Sequence, residues 1–85
     1  MKLDVVIVTL NHENIIKDAY DKVKKELKDT KHKIIFVDNC STDNTMELLE
    51  EIQKKDEDHT RIIKLSKNTN YNSCVIAGLN YCKNK

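Results

Sequence analysis

Proline and tryptophan are absent from this 85-residue chain, and glycine occurs once, at Gly78. A single glycine excludes both a G-x-G-x-x-G dinucleotide loop and a G-x-x-x-x-G-K phosphate loop, because each needs several glycines for close backbone approach to phosphate. Cysteine is sparse and odd in number. Cys40, Cys74 and Cys82 form no C-x-x-C pair and have no histidine at ligand spacing, which argues against a disulfide scaffold or a zinc site and for reduced, partly buried thiols. Neither sign of charge dominates: fifteen basic and fourteen acidic side chains leave a net +1. That balance excludes a nucleic-acid arm or a polybasic membrane patch. No apolar run approaches the roughly 18 residues of a bilayer span, and Lys2 alone does not make the charged start of a signal peptide. The expected location is the cytoplasm, at the inner membrane face where a longer parent carries a membrane segment. Hydrophobic residues make up 39% of the chain, low for a core yet too high for a disordered polypeptide.

What is present alternates strand and helix three times. Residues 3–9 (LDVVIVT) form a short β-branched run, as expected of a strand buried on both faces. Ile16, Ala19, Tyr20, Val23 and Leu27 follow as one helical stripe. Lys24, Lys25 and Lys28 load the end of that helix with charge favourable to its dipole. The second cycle runs through IIFV (34–37), a polar turn at 38–45 and a helix with Met46, Leu49 and Ile52 inward. Asn44 and Glu47 fit a capping box there, and Asp43 is the competing cap. The third cycle begins at Arg61, crosses a polar loop at 66–72 and ends in a helix over 73–83, with Val75, Ile76 and Leu79 expected inward. The class is α/β: three βα units joined by right-handed crossovers into a parallel sheet flanked by helices, Rossmann-like in plan.

In such a sheet, ligands bind beyond the carboxyl ends of the strands. Thr9, Asn11, Glu13, Asp38, Asn39, Ser41, Asp43, Lys67 and Asn68 gather in the three loops at that end. Asp38 ends an apolar strand, where a carboxylate is costly to bury unless it accepts hydrogen bonds. Its own turn and the N–H of a bound base are equally good donors. Asp43 reads as a helix cap, and so do Asn11 and Asn14. His12, His32 and His59 are scattered over three segments and read as surface residues. The acidic triplet 56–58 reads as a solvated turn, Tyr20 as core and Tyr71 as an exposed loop residue.

Three segments, LDVVIVTLNHENII, KIIFVDNCSTDNTMELLEEI and RIIKLSKNTNYNSCVIAGLNY, together resemble the start of a family 2 glycosyltransferase of the GT-A fold. The middle one is the most specific, since V-D-N-x-S-T-D-x-T at 37–45 is similar to that family's V-D-D-G-S-T-D-x-T. The resemblance implies nucleotide-sugar binding, with a UDP-linked donor expected. Thr9, Leu10 and Asn11 at the end of the first strand, with Glu13 nearby, would enclose the base, and Asp38 would accept its N3–H. Asn39 adjoins that carboxylate, and Lys67 and Asn68 would lie near base and ribose. The complete relative would transfer a sugar to an acceptor with Mg²⁺ or Mn²⁺.

Departures from the family pattern bear on the site. Val8 replaces the usual proline and Leu10 the usual aromatic, Asn39 replaces the second carboxylate, and Cys40 the turn glycine. Asn70 also stands where glycine is common, with an asparagine's tolerance of left-handed backbone, and Tyr71 stands where a basic residue is frequent. The family's D-x-D metal motif and its catalytic base have no counterpart between residues 1 and 85. The chain is therefore expected to be a single partial GT-A nucleotide-sugar-binding domain, a shortened form that lacks the D-x-D and acceptor regions, holds no metal or catalytic residue, binds nucleotide weakly and does not catalyse. The competing expectation is a non-catalytic α/β association module that forms a homo-oligomer through an exposed edge strand. A receiver-type domain fits poorly, because it needs an acidic cluster after its first strand and an aspartate ending its third.

Overall fold

The structure is a computed structural model that describes residues 2–84; Met1 and Lys85, the outermost residues of the expected domain, lie outside the described residues. Its elements are β1 (Lys2–Thr9), α1 (Ile16–Leu27), β2 (Lys31–Asp38), α2 (Thr45–Lys55), β3 (Thr60–Lys64) and α3 (Tyr71–Asn84). The strands are all parallel in the order β1-β2-β3. Helices cover both faces of this sheet, the arrangement expected when the strands are continuous apolar runs.

Register sorts the apolar residues into two cores. Val5 pairs with Ile34, Ile7 with Phe36 and Phe36 with Ile62, and this alternate set packs with Ile16, Leu49 and Ile52 of α1 and α2. The intervening set, Val6, Val8, Ile35, Val37 and Ile63, packs under α3 against Cys74, Ala77, Tyr81 and Cys82. Ile34, Ile35, Phe36 and Val37 are wholly buried because β2 is the central strand with a helix on either side. Gly78 lets α3 sit close. A Cβ at that position would lie 2.5 Å from Val6 Cγ1 and 3.2 Å from Val37 Cγ2, inside the normal contact distance of carbon atoms.

Several local expectations are corrected. The inward face of α3 is Cys74, Ala77, Gly78 and Tyr81, whereas Ile76 and Leu79 are more than half exposed. The close approach at Gly78 sets the helix rotation and turns those two outward. Tyr71 is the first residue of α3 rather than a loop residue, and it is exposed. Asn70 has no left-handed backbone; its Oδ1 accepts the Ser73 N–H at 2.8 Å and caps α3. Asn44 makes no side-chain cap on α2, because Asp43 Oδ1 accepts the Thr45 N–H at 2.9 Å instead. Asn14 makes no side-chain cap for α1 either, whose first turn is closed by the His12 carbonyl.

The polar end of the fold opposite the β-strand carboxyl termini departs further. His32 is buried, and its ring stacks on His59 with centroids 4.8 Å apart. The Asp56 carboxylate is no solvated turn residue: it accepts from Tyr20 Oη, Lys24 Nζ at 2.8 Å and His59 Nδ1 at 2.8 Å. Burial pushes this carboxyl up, but the bonds from Lys24, Tyr20 and His59 outweigh it and hold it well below the usual range. Burial, reinforced by the Asp56 bond, pushes the Tyr20 phenol well above its usual value.

Candidate functional site

At the carboxyl ends of the strands, the loops 10–15, 39–44 and 65–70 come together, and the sequence-predicted residues divide into two sets by burial. Thr9, Asp38 and Asn39 are buried; Leu10, Asn11, Lys67 and Asn68 are exposed, with Glu13 between. The buried set, with the exposed Asn11, holds the loops. Parallel pairing places Thr9 beside Asp38, and the Thr9 hydroxyl donates to Asp38 Oδ1 at 2.8 Å. The Ser41 hydroxyl donates to the same oxygen at 2.6 Å, and its N–H donates to Asp38 Oδ2 at 3.0 Å. Asp38 thus ends β2 as a fully buried carboxylate satisfied by its own turn and by β1.

Asn39 joins the second loop to the third. Its Nδ2 donates to the Thr69 carbonyl at 2.7 Å and its Oδ1 accepts the Thr69 N–H at 2.8 Å. The two backbone partners fix which amide atom is which, since an N–H cannot donate to an N–H. The Asn68 amide reaches the Asn39 carbonyl at a long 3.5 Å. Between these residues and Ser41, Cys40 takes a left-handed backbone, φ 61°, which turns the chain after β2 as the family's glycine would.

Asn11 joins the first loop to the second rather than capping α1. It too is left-handed, φ 54°. Its Oδ1 accepts the N–H groups of Thr42 at 2.8 Å and Asp43 at 3.3 Å, while its own N–H donates to Ser41 Oγ at 3.0 Å. Beside it, His12 N–H donates to Thr45 Oγ1 at 2.8 Å and Glu13 N–H to Asp43 Oδ2 at 3.2 Å. Glu13 therefore joins this network through its backbone. Desolvation pushes the Asp43 carboxyl up, yet the donors from Thr45 and Glu13 outweigh it and keep it below the usual value. Two contributors were not singled out from sequence. Thr45, the first residue of α2 and the last of the V-D-N-x-S-T-D-x-T segment, links two loops through its hydroxyl. Thr69 acts through its backbone, which leaves no trace in residue type.

The rim of the resulting mouth offers an apolar surface at Leu10, a cation at Lys67 and amides at Asn11 and Asn68, on a floor whose polar groups already have partners. Among the described residues no group of three or more His, Cys, Asp or Glu is placed to hold a metal ion. Also among the described residues, no helix is long and apolar enough to cross a membrane.

Comparison with known proteins gives the arrangement a family. The sequence profile described as glycosyl transferase family 2 matches residues 4–85. An undecaprenyl-phosphate 4-deoxy-4-formamido-L-arabinose transferase of Proteus mirabilis is 31% identical over 81 residues, 93% of this chain and 25% of the relative. The poly(ribitol-phosphate) beta-N-acetylglucosaminyltransferase TarS of Staphylococcus aureus is 32% identical over 56 residues, 65% of this chain and 10% of the relative. The crystal structure of S. aureus TarS 1–349 superposes with a TM-score of 0.79 at 25% identity, covering 94% of this chain and 24% of that one. The chain thus spans a quarter or less of the length of each of these relatives. With the loops, the register and the V-D-N-x-S-T-D-x-T turn all in place, the chain belongs to glycosyl transferase family 2 and carries three βα units of its GT-A fold.

Proposed function

We propose that this chain is the nucleotide-binding part of a glycosyltransferase that uses a nucleotide-diphosphate sugar, with UDP as the nucleotide, and that by itself it binds nucleotide weakly without transferring sugar. The observation that carries the reading is the mouth at the carboxyl ends of the strands, where Asn11, Asp38 and Asn39 bind the three loops to one another and leave Leu10, Lys67 and Asn68 exposed around it. Leu10 would lie against the base, with Lys67 and Asn68 toward the ribose. Asp38 Oδ2 would accept the base N3–H, a step that requires the Ser41 turn to move aside because the carboxylate has no exposed surface. Membership of the family supports a nucleotide-sugar donor. The acceptor, the transferred sugar and a divalent cation belong to a complete enzyme, in which this domain would be one part.

Amide NMR of the chain during titration with UDP, with GDP as the control, tests the reading. Shifts should cluster at residues 9–13, 38–42 and 67–68. Because Asp38 also builds the turn, Asp38→Ala cannot separate binding from folding, so Lys67→Glu and Asn68→Ala are the informative variants. Both should stay folded and weaken the UDP response several-fold. A well-folded spectrum that ignores millimolar UDP, or one that answers GDP equally, would refute the assignment.

One observation favours a second reading, self-association. β1 is an edge strand of the sheet among the described residues, Leu3 on it is 40% exposed, and Ile76 and Leu79 of the overlying α3 are also exposed. An apolar edge of this kind pairs readily with another chain. Light scattering should then report a mass that rises with concentration and falls to monomer in Leu3→Lys, whereas a constant monomer mass would reject it.

A further inference from the structure

We propose that His32 and His59 form a one-proton device that sets, with pH, how firmly the end of the fold opposite the candidate nucleotide site is closed. The proposal rests on hydrogen-bond geometry. His32 Nδ1 lies 2.7 Å from the Thr30 carbonyl oxygen, which can only accept, so the ring carries a hydrogen there. Its Nε2 lies 2.8 Å from Lys24 Nζ, and an ammonium can only donate, so Nε2 must be bare. The two partners together select the neutral Nδ1–H tautomer. A second proton on this buried ring would point at the Lys24 ammonium.

His59 answers a proton in the opposite way. Its Nδ1–H donates to Asp56 Oδ1 at 2.8 Å, and a charged ring would turn that bond into an ion pair. Lys24 also reaches Asp56 Oδ2, at 2.8 Å. One carboxylate therefore holds both the residue that welcomes a proton and the residue that denies one to His32. The stacked rings, 4.8 Å apart, oppose a second charge on the pair.

The surroundings do not cancel this asymmetry. A cleft of about 520 Å³ opens on the pair, and Lys28 of α1, Asp29 of the following turn and Lys31 of β2 also line it. A smaller cleft beside it is bordered by Lys33 and Asp58. Asp4 of β1 stands in register with Lys33, so the rim carries both signs, and what opposes a second proton is the Lys24 ammonium and the stacked partner ring. On acidification the first proton goes to His59 and the closed arrangement persists. The second goes to His32, displaces Lys24 and parts the end of α1 from β2 and from the turn at Asp56. The loops at the other end of the sheet share none of these bonds.

Imidazole ¹H–¹⁵N correlation spectra of the chain, followed from about pH 8 to about pH 5 across the range in which histidines titrate, test the device. His32 should show the Nδ1–H tautomer at neutral pH, and His59 should gain its proton first. Amide exchange of residues 24–30 and 56–60, corrected for its intrinsic pH dependence, should rise several-fold only as His32 titrates. In His32→Gln, whose Oε1 can still accept from Lys24 but cannot be protonated in this range, that rise should vanish. A His32 ring in the Nε2–H tautomer, two rings titrating independently, or an unchanged rise in the variant would overturn the proposal. Should His32→Gln fail to fold, the tautomer and the order of titration in the unmodified chain decide the matter.

Discussion

Asn39 stands where the family pattern has a second aspartate, and its pair of bonds to the Thr69 backbone gives the amide a task that a carboxylate cannot perform. An aspartate would accept the Thr69 N–H and face the Thr69 carbonyl with no hydrogen to offer. Asn39→Asp, although it restores the family residue, should therefore lower stability by about 1–3 kcal/mol, the cost of a buried group left without its partner. A fall in the urea midpoint at unchanged slope would show it. At the next residue the opposite holds. Cys40 occupies a left-handed backbone, φ 61°, and its thiol makes only a 3.9 Å contact with the Ser66 carbonyl. Cys40→Gly removes the Cβ strain, partly offset by a more flexible unfolded chain. It should raise stability by roughly 0.5–1 kcal/mol, and a lower melting temperature would contradict the strain. At this scale the placement was legible: the residues named from sequence gather at the carboxyl ends of the strands. Which of them are buried and which bind one loop to another was not, because both depend on the neighbouring loop.

The elements divide between those whose inner face is written in their spacing and one whose face is not. α1 and α2 carry apolar residues at intervals of three and four with charge between them, so only one side can turn inward. α3 carries Val75, Ile76, Ala77, Leu79 and Tyr81 around most of its circumference, and periodicity alone cannot orient such a helix. Contact orients it instead. Gly78 meets Val6 and Val37, where any Cβ would collide. Gly78→Ala should consequently destabilise by about 1–3 kcal/mol despite alanine's better helix propensity, because overpacking outweighs that gain of about 1 kcal/mol. Ile76→Ser and Leu79→Ser should stay within about 0.5 kcal/mol in the monomer. Chemical denaturation of the three variants, side by side, checks the rotation of the helix. A tolerated alanine with costly serines would mean that α3 is turned the other way.

For the molecule as a whole, the Asp56 cluster ties α1 to the turn before β3 and makes stability depend on pH. The Asp56 carboxyl is held below its unfolded value of about 3.9. Its contribution is therefore fully present above that value and is lost as pH falls through the lower folded value. Tyr20 has the opposite sign: its phenol is raised in the fold, so its contribution is complete below about pH 10 and fades above. Asp56→Asn should flatten the acid limb of stability below about pH 5, and Tyr20→Phe the alkaline limb above about pH 10, in thermal melts across the range. Unchanged limbs would show that the cluster does not govern them.

The sequence by itself determined the three βα units, the parallel sheet and the end of it at which the candidate site residues collect. Strands buried on both faces must be continuous apolar runs, and turns must carry residues able to leave them; both are local properties of the chain. Only the tertiary structure decided which way α3 turns, that Asp38 is satisfied by Thr9 and Ser41, and that two histidines 27 positions apart share a stack over one carboxylate. Those outcomes depend on strand register and helix contact, which bring together groups that no short window of sequence contains.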